Sequence, residues 1–117
     1  MIVENKRNGR KVCCLEAASF LQKVRGLMGR KKVVPILFDF FREGSHPIHS
    51  FFVPGPFFAV YISSAMEVVD KFRVSRFELL RKNKEPARYL LELGEKDASF
   101  FGIGDEVAFY AGMENTG

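Results

Sequence analysis

The residues of this chain that could do chemistry are few, and their spacing limits what they could do. His46 and His49 are the only histidines. A His-x-x-His pair with Cys13 or Cys14 could supply three ligands to a metal. Pro47 disfavours a helical placement of the pair, however, and no acidic residue lies between them, so no metal site is specified. No metal and no cofactor are expected. His49, just ahead of an aromatic run, reads as a polar residue at a loop edge. Cys13 and Cys14 are adjacent, so on a strand they point to opposite faces and close no useful loop. The expectation is a reduced pair, one thiol in the core and the other nearer the surface.

The carboxylates offer no clear pair for acid/base work, and no catalytic residue is assigned. Glu92 lies in an otherwise apolar strand. It either faces solvent by period-2 alternation, the favoured reading, or is buried and paired with a base such as Arg25. A buried catalytic carboxyl is the least favoured. Asp105 is expected to serve a turn by bonding nearby backbone amides. Gly26, Gly29, Gly102 and Gly104 lack the Lys-Ser/Thr or strand-to-helix context of a phosphate loop. Ser63 and Ser64 fall in a hairpin turn with no histidine nearby in sequence. Arg25, Arg30, Lys31 and Lys32 form the most concentrated local cluster. It could hold a phosphate or carboxylate, although solvated charge is the ordinary state of such residues.

These residues must be positioned by a chain of 117 residues, which is one domain's length. With 47% apolar and 27% charged residues and 13 Phe, a real core can form and wholesale disorder is excluded. No apolar run approaches membrane-spanning length, and the start MIVENKRNGRK is polar where a signal peptide is apolar. The expectation is a soluble, cytoplasmic protein without membrane contact. The net charge of +4 is uneven, because residues 1–35 hold nine basic and two acidic side chains (+7) and residues 36–117 nine and twelve (−3). Such a basic third could attract a polyanion. A single Gln and a single Thr among many Lys, Arg and Glu fit a heat-adapted source.

Periodicity sets the elements. Val12–Leu15 reads as a strand after a basic, turn-like start at Asn8 and Gly9. Ala17, Phe20, Leu21 and Val24 form one helical stripe that Gly26 would terminate. A strand over Ile36–Phe40 follows, then a loop over residues 42–50. Pro54-Gly55-Pro56 divides two aromatic runs within Phe51–Ile62. Ser63–Ala65 turns the chain into Met66–Val74 as a hairpin. Tyr89–Leu93, a helical turn over Asp97–Phe101, a turn at Gly102–Asp105 and a last strand at Val107–Tyr110 complete the chain. The fold expected is a mainly β (α+β) domain: an antiparallel β-sandwich or open barrel packed with one N-terminal helix.

Arg25-Gly26-Leu27-Met28-Gly29-Arg30, Leu37-Phe38-Asp39-Phe40, His49-Ser50-Phe51-Phe52 with Pro56, Pro86–Leu93 and Gly102-Ile103-Gly104-Asp105 occur in that order. Together they resemble the signature blocks of domain-of-unknown-function family 192, also called uncharacterised protein family 0127. The resemblance covers about residues 12–110. Two departures stand out: Phe51-Phe52-Val53-Pro54-Gly55 replaces the family's usual Phe-Trp-Met and polar residues, and Phe58 stands where the family has Asp. The resemblance implies a compact, mainly antiparallel β fold with one helix, and it brings no established activity.

The leading functional expectation is a non-enzymatic domain that binds a small ligand or partner protein beside the Arg25–Lys32 loop and the Pro54-Gly55-Pro56 turn. Arg25, Arg30, His49 and Glu92 are its candidate ligand-binding residues. One alternative is an enzyme for a small anionic or sugar-like substrate, with Glu92, His49 and Arg25 joined in a pocket. The other is a weak nucleic-acid-binding module, which the basic N-terminal third suggests and its lack of interleaved aromatic residues does not support.

Overall fold

A computed structural model of the chain describes residues 1–17, 34–47, 56–75 and 81–111. Eight strands and one short helix occur in the described residues: β1 (Ile2–Asn5), β2 (Lys11–Cys13), β3 (Leu15–Ala17), β4 (Ile36–Gly44), β5 (Phe57–Ile62), β6 (Val68–Val74), β7 (Ala87–Leu93), α1 (Glu95–Ala98) and β8 (Val107–Tyr110). They form a three-stranded sheet in the order β2-β1-β8 and a five-stranded sheet in the order β3-β4-β7-β5-β6, which do not close into a barrel. The β-rich, two-sheet architecture is the one expected from the sequence. All pairings between these strands are antiparallel except β3 with β4, which is parallel. The expected helix over Ala17–Val24 lies outside the described residues apart from Ala17, which ends β3.

Two local readings are corrected. The N-terminus is a strand, because Val3 and Asn5 alternate inward with Ile2 and Glu4, a pattern that the flanking basic residues hide. Asn8 and Gly9 do turn the chain, and Gly9 takes a left-handed φ of 74° that glycine adopts without steric cost. The strand read over Val12–Leu15 is two strands in two sheets. Cys14 is the corner between them, with its amide donating to the Met1 carbonyl at 2.9 Å. Cys14 is buried and Cys13 exposed, as opposite faces of a strand require. Burial pushes the Cys14 thiol up to about 12, so it stays an inert thiol.

At a second corner the sheets meet through the Glu67–Glu106 bridge, where Val68 N–H donates to Asp105 O and Val107 N–H to Met66 O, both at 2.9 Å. Val3, Val12, Leu37, Val60, Ile62, Leu91, Leu93, Phe101 and Val107 fill one core. The other face of the five-stranded sheet carries a second core of Ile36, Phe38, Phe57, Ala59, Tyr61, Val74, Ala87 and Leu90. Its central strands are therefore buried on both faces, as in sheets covered on two sides.

Candidate functional site

Glu92 lies on the face of the second core. Across β7 it stands opposite Ile36 of β4 on one side and Ala59 of β5 on the other, and Ala59 in turn faces Phe72 of β6. The row Ile36–Glu92–Ala59–Phe72 thus crosses four strands, with the carboxyl among apolar side chains. The neighbouring row is Phe38–Leu90–Tyr61–Asp70.

Glu92 is 5% exposed, which overturns the solvent-facing reading. Its strand has apolar residues at both parities, Leu90 and Leu91 among them, because both faces are covered. Alternation therefore carries no information there, and that two-sided hydrophobicity is itself the signal of a central strand. Glu92 Oε1 has no hydrogen-bond partner among the described residues. Desolvation raises the carboxyl to about 8, so at neutral pH it is mainly protonated.

Glu92 alone of the four candidate ligand-binding residues can be placed. Arg25, Arg30 and His49 lie outside the described residues, as does any pairing of Arg25 with Glu92. Sequence reading missed the neighbours of Glu92. Tyr61 is fully buried, and desolvation first, then the charges of Glu92 and Asp70, raise its hydroxyl above the usual phenol range. That hydroxyl donates to the His46 carbonyl at 2.5 Å. The His46 ring stacks on Phe40 with centroids 3.9 Å apart, and its amide donates to Asn83 Oδ1 at 2.9 Å. Asn83 Nδ2 donates to the carbonyls of Gly44 and Glu85. Asp70 accepts the amides of Lys71 and Lys84, each at 2.8 Å. The Asn83 bonds clamp the 44–47 loop against residues 82–85. A shallow groove between these two segments is lined by Ser45, Lys82, Lys84 and Pro86 among others.

A separate polar cluster ties the N-terminal hairpin to the closing turn. Asp105 accepts hydrogen bonds from Arg7 Nε at 2.8 Å, Asn5 Nδ2 at 2.7 Å and the Gly102 amide at 2.8 Å. Hydrogen bonding from Arg7 leads the causes that hold its carboxyl down at about 2. The turn role expected for Asp105 is present, with an ion pair added to it. Phe58 packs against the first core, with Lys71 Nζ 5.9 Å from its ring centre. The departure from the family's Asp therefore falls on the face opposite Glu92.

Among the described residues no group of three or more His, Cys, Asp or Glu could hold a metal ion. No helix among them is long and apolar enough to cross a membrane.

The fold and site define a two-sheet β domain with a buried acid in its larger sheet, one of whose oxygens has no partner among the described residues. The family model of domain-of-unknown-function family 192, described as Uncharacterized ACR, matches residues 2–109, and the chain belongs to that family. No curated protein matches the chain significantly. Two crystal structures are similar. One, a protein of Sinorhizobium meliloti named as a candidate transcription regulator, shares 22% identity at a TM-score of 0.78, over 92% of this chain and 89% of that one. The other, a protein of unknown function from Novosphingobium aromaticivorans, shares 16% identity at a TM-score of 0.79, over 92% and 82%. At these identities the likeness establishes the fold.

Proposed function

We propose that this protein is a non-enzymatic, cytoplasmic binding domain whose ligand meets Glu92 on the second face of the five-stranded sheet. The observation that carries the reading is the burial of Glu92 with Oε1 unpartnered among the described residues. A buried polar atom without a partner costs roughly 1–3 kcal/mol, so native folds rarely keep one without a use. Ligand sites are mostly apolar with a few oriented polar groups, and this face has that composition. Arg25, Arg30 and His49 are assigned to the same site on sequence grounds, where the arginines would take up an acidic part of the ligand. Two adjacent free cysteines fit a reducing compartment.

The test is a thermal-shift screen of a mixed metabolite library against the parent protein, Glu92→Gln and Glu92→Leu. The reading requires at least one compound that stabilises the parent and loses its effect in Glu92→Leu. A library without such a compound overturns it.

The raised carboxyl also favours a second reading, an enzyme for a small sugar-like or anionic substrate, since an acid that titrates near neutrality suits proton transfer. Turnover of a bound compound, abolished in Glu92→Gln while binding persists, would establish it. The Sinorhizobium protein's name points instead to nucleic acid. Against that reading, Arg7 is paired with Asp105, Arg88 with Asp39, and Arg10 lies over the Phe100 ring.

A further inference from the structure

We infer that the groove between residues 44–45 and 82–86 binds a small phosphate monoester whose organic part carries hydroxyl groups. The groove is a second site, since no residue of the row Ile36–Glu92–Ala59–Phe72 lines it. Its volume is about 540 Å³, inside the roughly 300–1,000 Å³ of small-molecule sites. Buried side chains hold its walls. Asn83 is 5% exposed. Its Oδ1 accepts the His46 amide at 2.9 Å, and its Nδ2 donates to the Gly44 carbonyl at 3.0 Å and the Glu85 carbonyl at 2.6 Å, so one side chain fixes both walls. Asp70, also buried, accepts the Lys84 amide at 2.8 Å. Walls fixed in advance lower the entropy lost when a ligand binds.

With Asn83 turned inward, Lys82 and Lys84 on either side of it are exposed, and both line the groove. Neither has a carboxylate partner among the described residues, whereas Arg7 and Arg88 are taken up by Asp105 and Asp39. Two ammonium groups on one short segment suit a dianion, and a phosphate monoester carries about 1.5 to 2 negative charges at pH 7. Lysine meets phosphate as a compact charge with three rotatable donors. Ser45 lines the opposite wall, where its hydroxyl can donate to a phosphate oxygen or bond to a ligand hydroxyl. Glu85 lines the groove as well. A carboxylate there repels a bare anion and accepts hydrogen bonds from hydroxyls, so it disfavours inorganic phosphate and favours an ester that brings hydroxyls with its phosphate.

The experiment follows backbone amide shifts of the full chain by NMR at about pH 7.5, where the ester is mostly dianionic, during titration with glucose 6-phosphate, glucose or sodium phosphate. Glucose 6-phosphate should move residues 44–45 and 82–85 saturably, with a Kd on the order of 1 mM for so open a groove. Inorganic phosphate should bind more weakly, and glucose should leave these residues unmoved. Lys82→Met and Lys84→Met keep most of the stem and remove the charge, and each should weaken glucose 6-phosphate binding by about three- to fivefold. Glu85→Gln should bring inorganic phosphate closer to the ester in affinity. Lys6→Met, an exposed lysine outside the groove, should change nothing. Equal weakening by Lys6→Met, or shifts spread over the N-terminal hairpin, would mean general attraction to a basic surface and would overturn the site. Absence of saturable shifts at residues 44–45 and 82–85, or binding of glucose as tight as that of its phosphate, would overturn it too. Inorganic phosphate binding as tightly as the ester would overturn the ester and the part given to Glu85.

Discussion

Glu92 and Ala59 stand directly opposite each other across the antiparallel pair β7 and β5. A small, fully buried side chain therefore stands beside a buried carboxyl. Ala59→Leu should crowd that carboxyl. Overpacking a fully buried site typically costs about 1–3 kcal/mol. The variant should unfold at lower urea with an unchanged m-value, and bind any Glu92-dependent ligand at least about tenfold more weakly, a loss of roughly 1.4 kcal/mol. Full-strength binding by a folded Ala59→Leu would place the ligand elsewhere.

Asp105 accepts hydrogen bonds from Asn5 and Arg7 of the N-terminal hairpin and from Gly102 of its own turn, and its removal should loosen both. In Asp105→Ala the buried Asn5 amide keeps a partner at the Phe100 carbonyl, but loses one of its bonds, and the Gly102 amide loses its acceptor. Each stranded donor costs about 1–3 kcal/mol. Because the carboxyl is depressed to about 2 from 3.8, its contribution is present above about pH 4 and lost as pH falls through about 2. Asp105→Asn should show a weaker acid dependence than the parent in thermal melts below pH 4.

Lys71 caps the end of α1. Its Nζ donates to the carbonyls of Ala98 and Phe101, both at 2.7 Å, and desolvation lowers its pKa. Hydrogen bonds from a charged donor contribute about 1.5–3 kcal/mol. Lys71→Met keeps most of the stem's packing and removes both bonds, so it should destabilise the chain by about 2 kcal/mol. Hydrogen exchange should rise first at residues 98–102, since the four-residue helix has few bonds of its own.

Much of the fold is legible in the sequence where apolar runs and turn chemistry agree. The hairpin around Ser63–Ala65, the strand ending at Leu93 and the last strand, Val107–Tyr110, follow from short apolar runs bounded by turn residues. β1 was hidden because its inward polar residue, Asn5, is satisfied by partners about a hundred positions away, and nothing local announces them. β4 runs past its expected end at Phe40 through an irregularity between Asp39 and Gly44. There Phe41 takes a left-handed φ of 66° and Asp39 accepts its amide at 2.7 Å, so a side chain rather than a hydrophobic pattern sets the course. The burial of Glu92 depends on which strands neighbour β7. That is a long-range property, which the spacing of residues within one strand does not encode.

The same burial makes stability depend on pH in an unusual direction. Glu92 titrates at about 8 in the fold and at 4.5 in the unfolded chain. Between those values the unfolded chain has lost a proton that the native state keeps, so the unfolded state binds fewer protons and stability falls as pH rises. The slope contributed by this one group reaches about 1.4 kcal/mol per pH unit inside the window, and vanishes below about pH 4.5 and above about pH 8. Asp105 acts at lower pH, below about 4, so the two effects are separable along the axis. Urea unfolding of the parent from about pH 5 to pH 9 should show midpoints that decline and then level off. Glu92→Gln, which keeps the shape and cannot ionise, should hold a flatter profile and overtake the parent as pH rises. Parallel profiles for the two proteins would mean that Glu92 is ionised in the native state, held by a base.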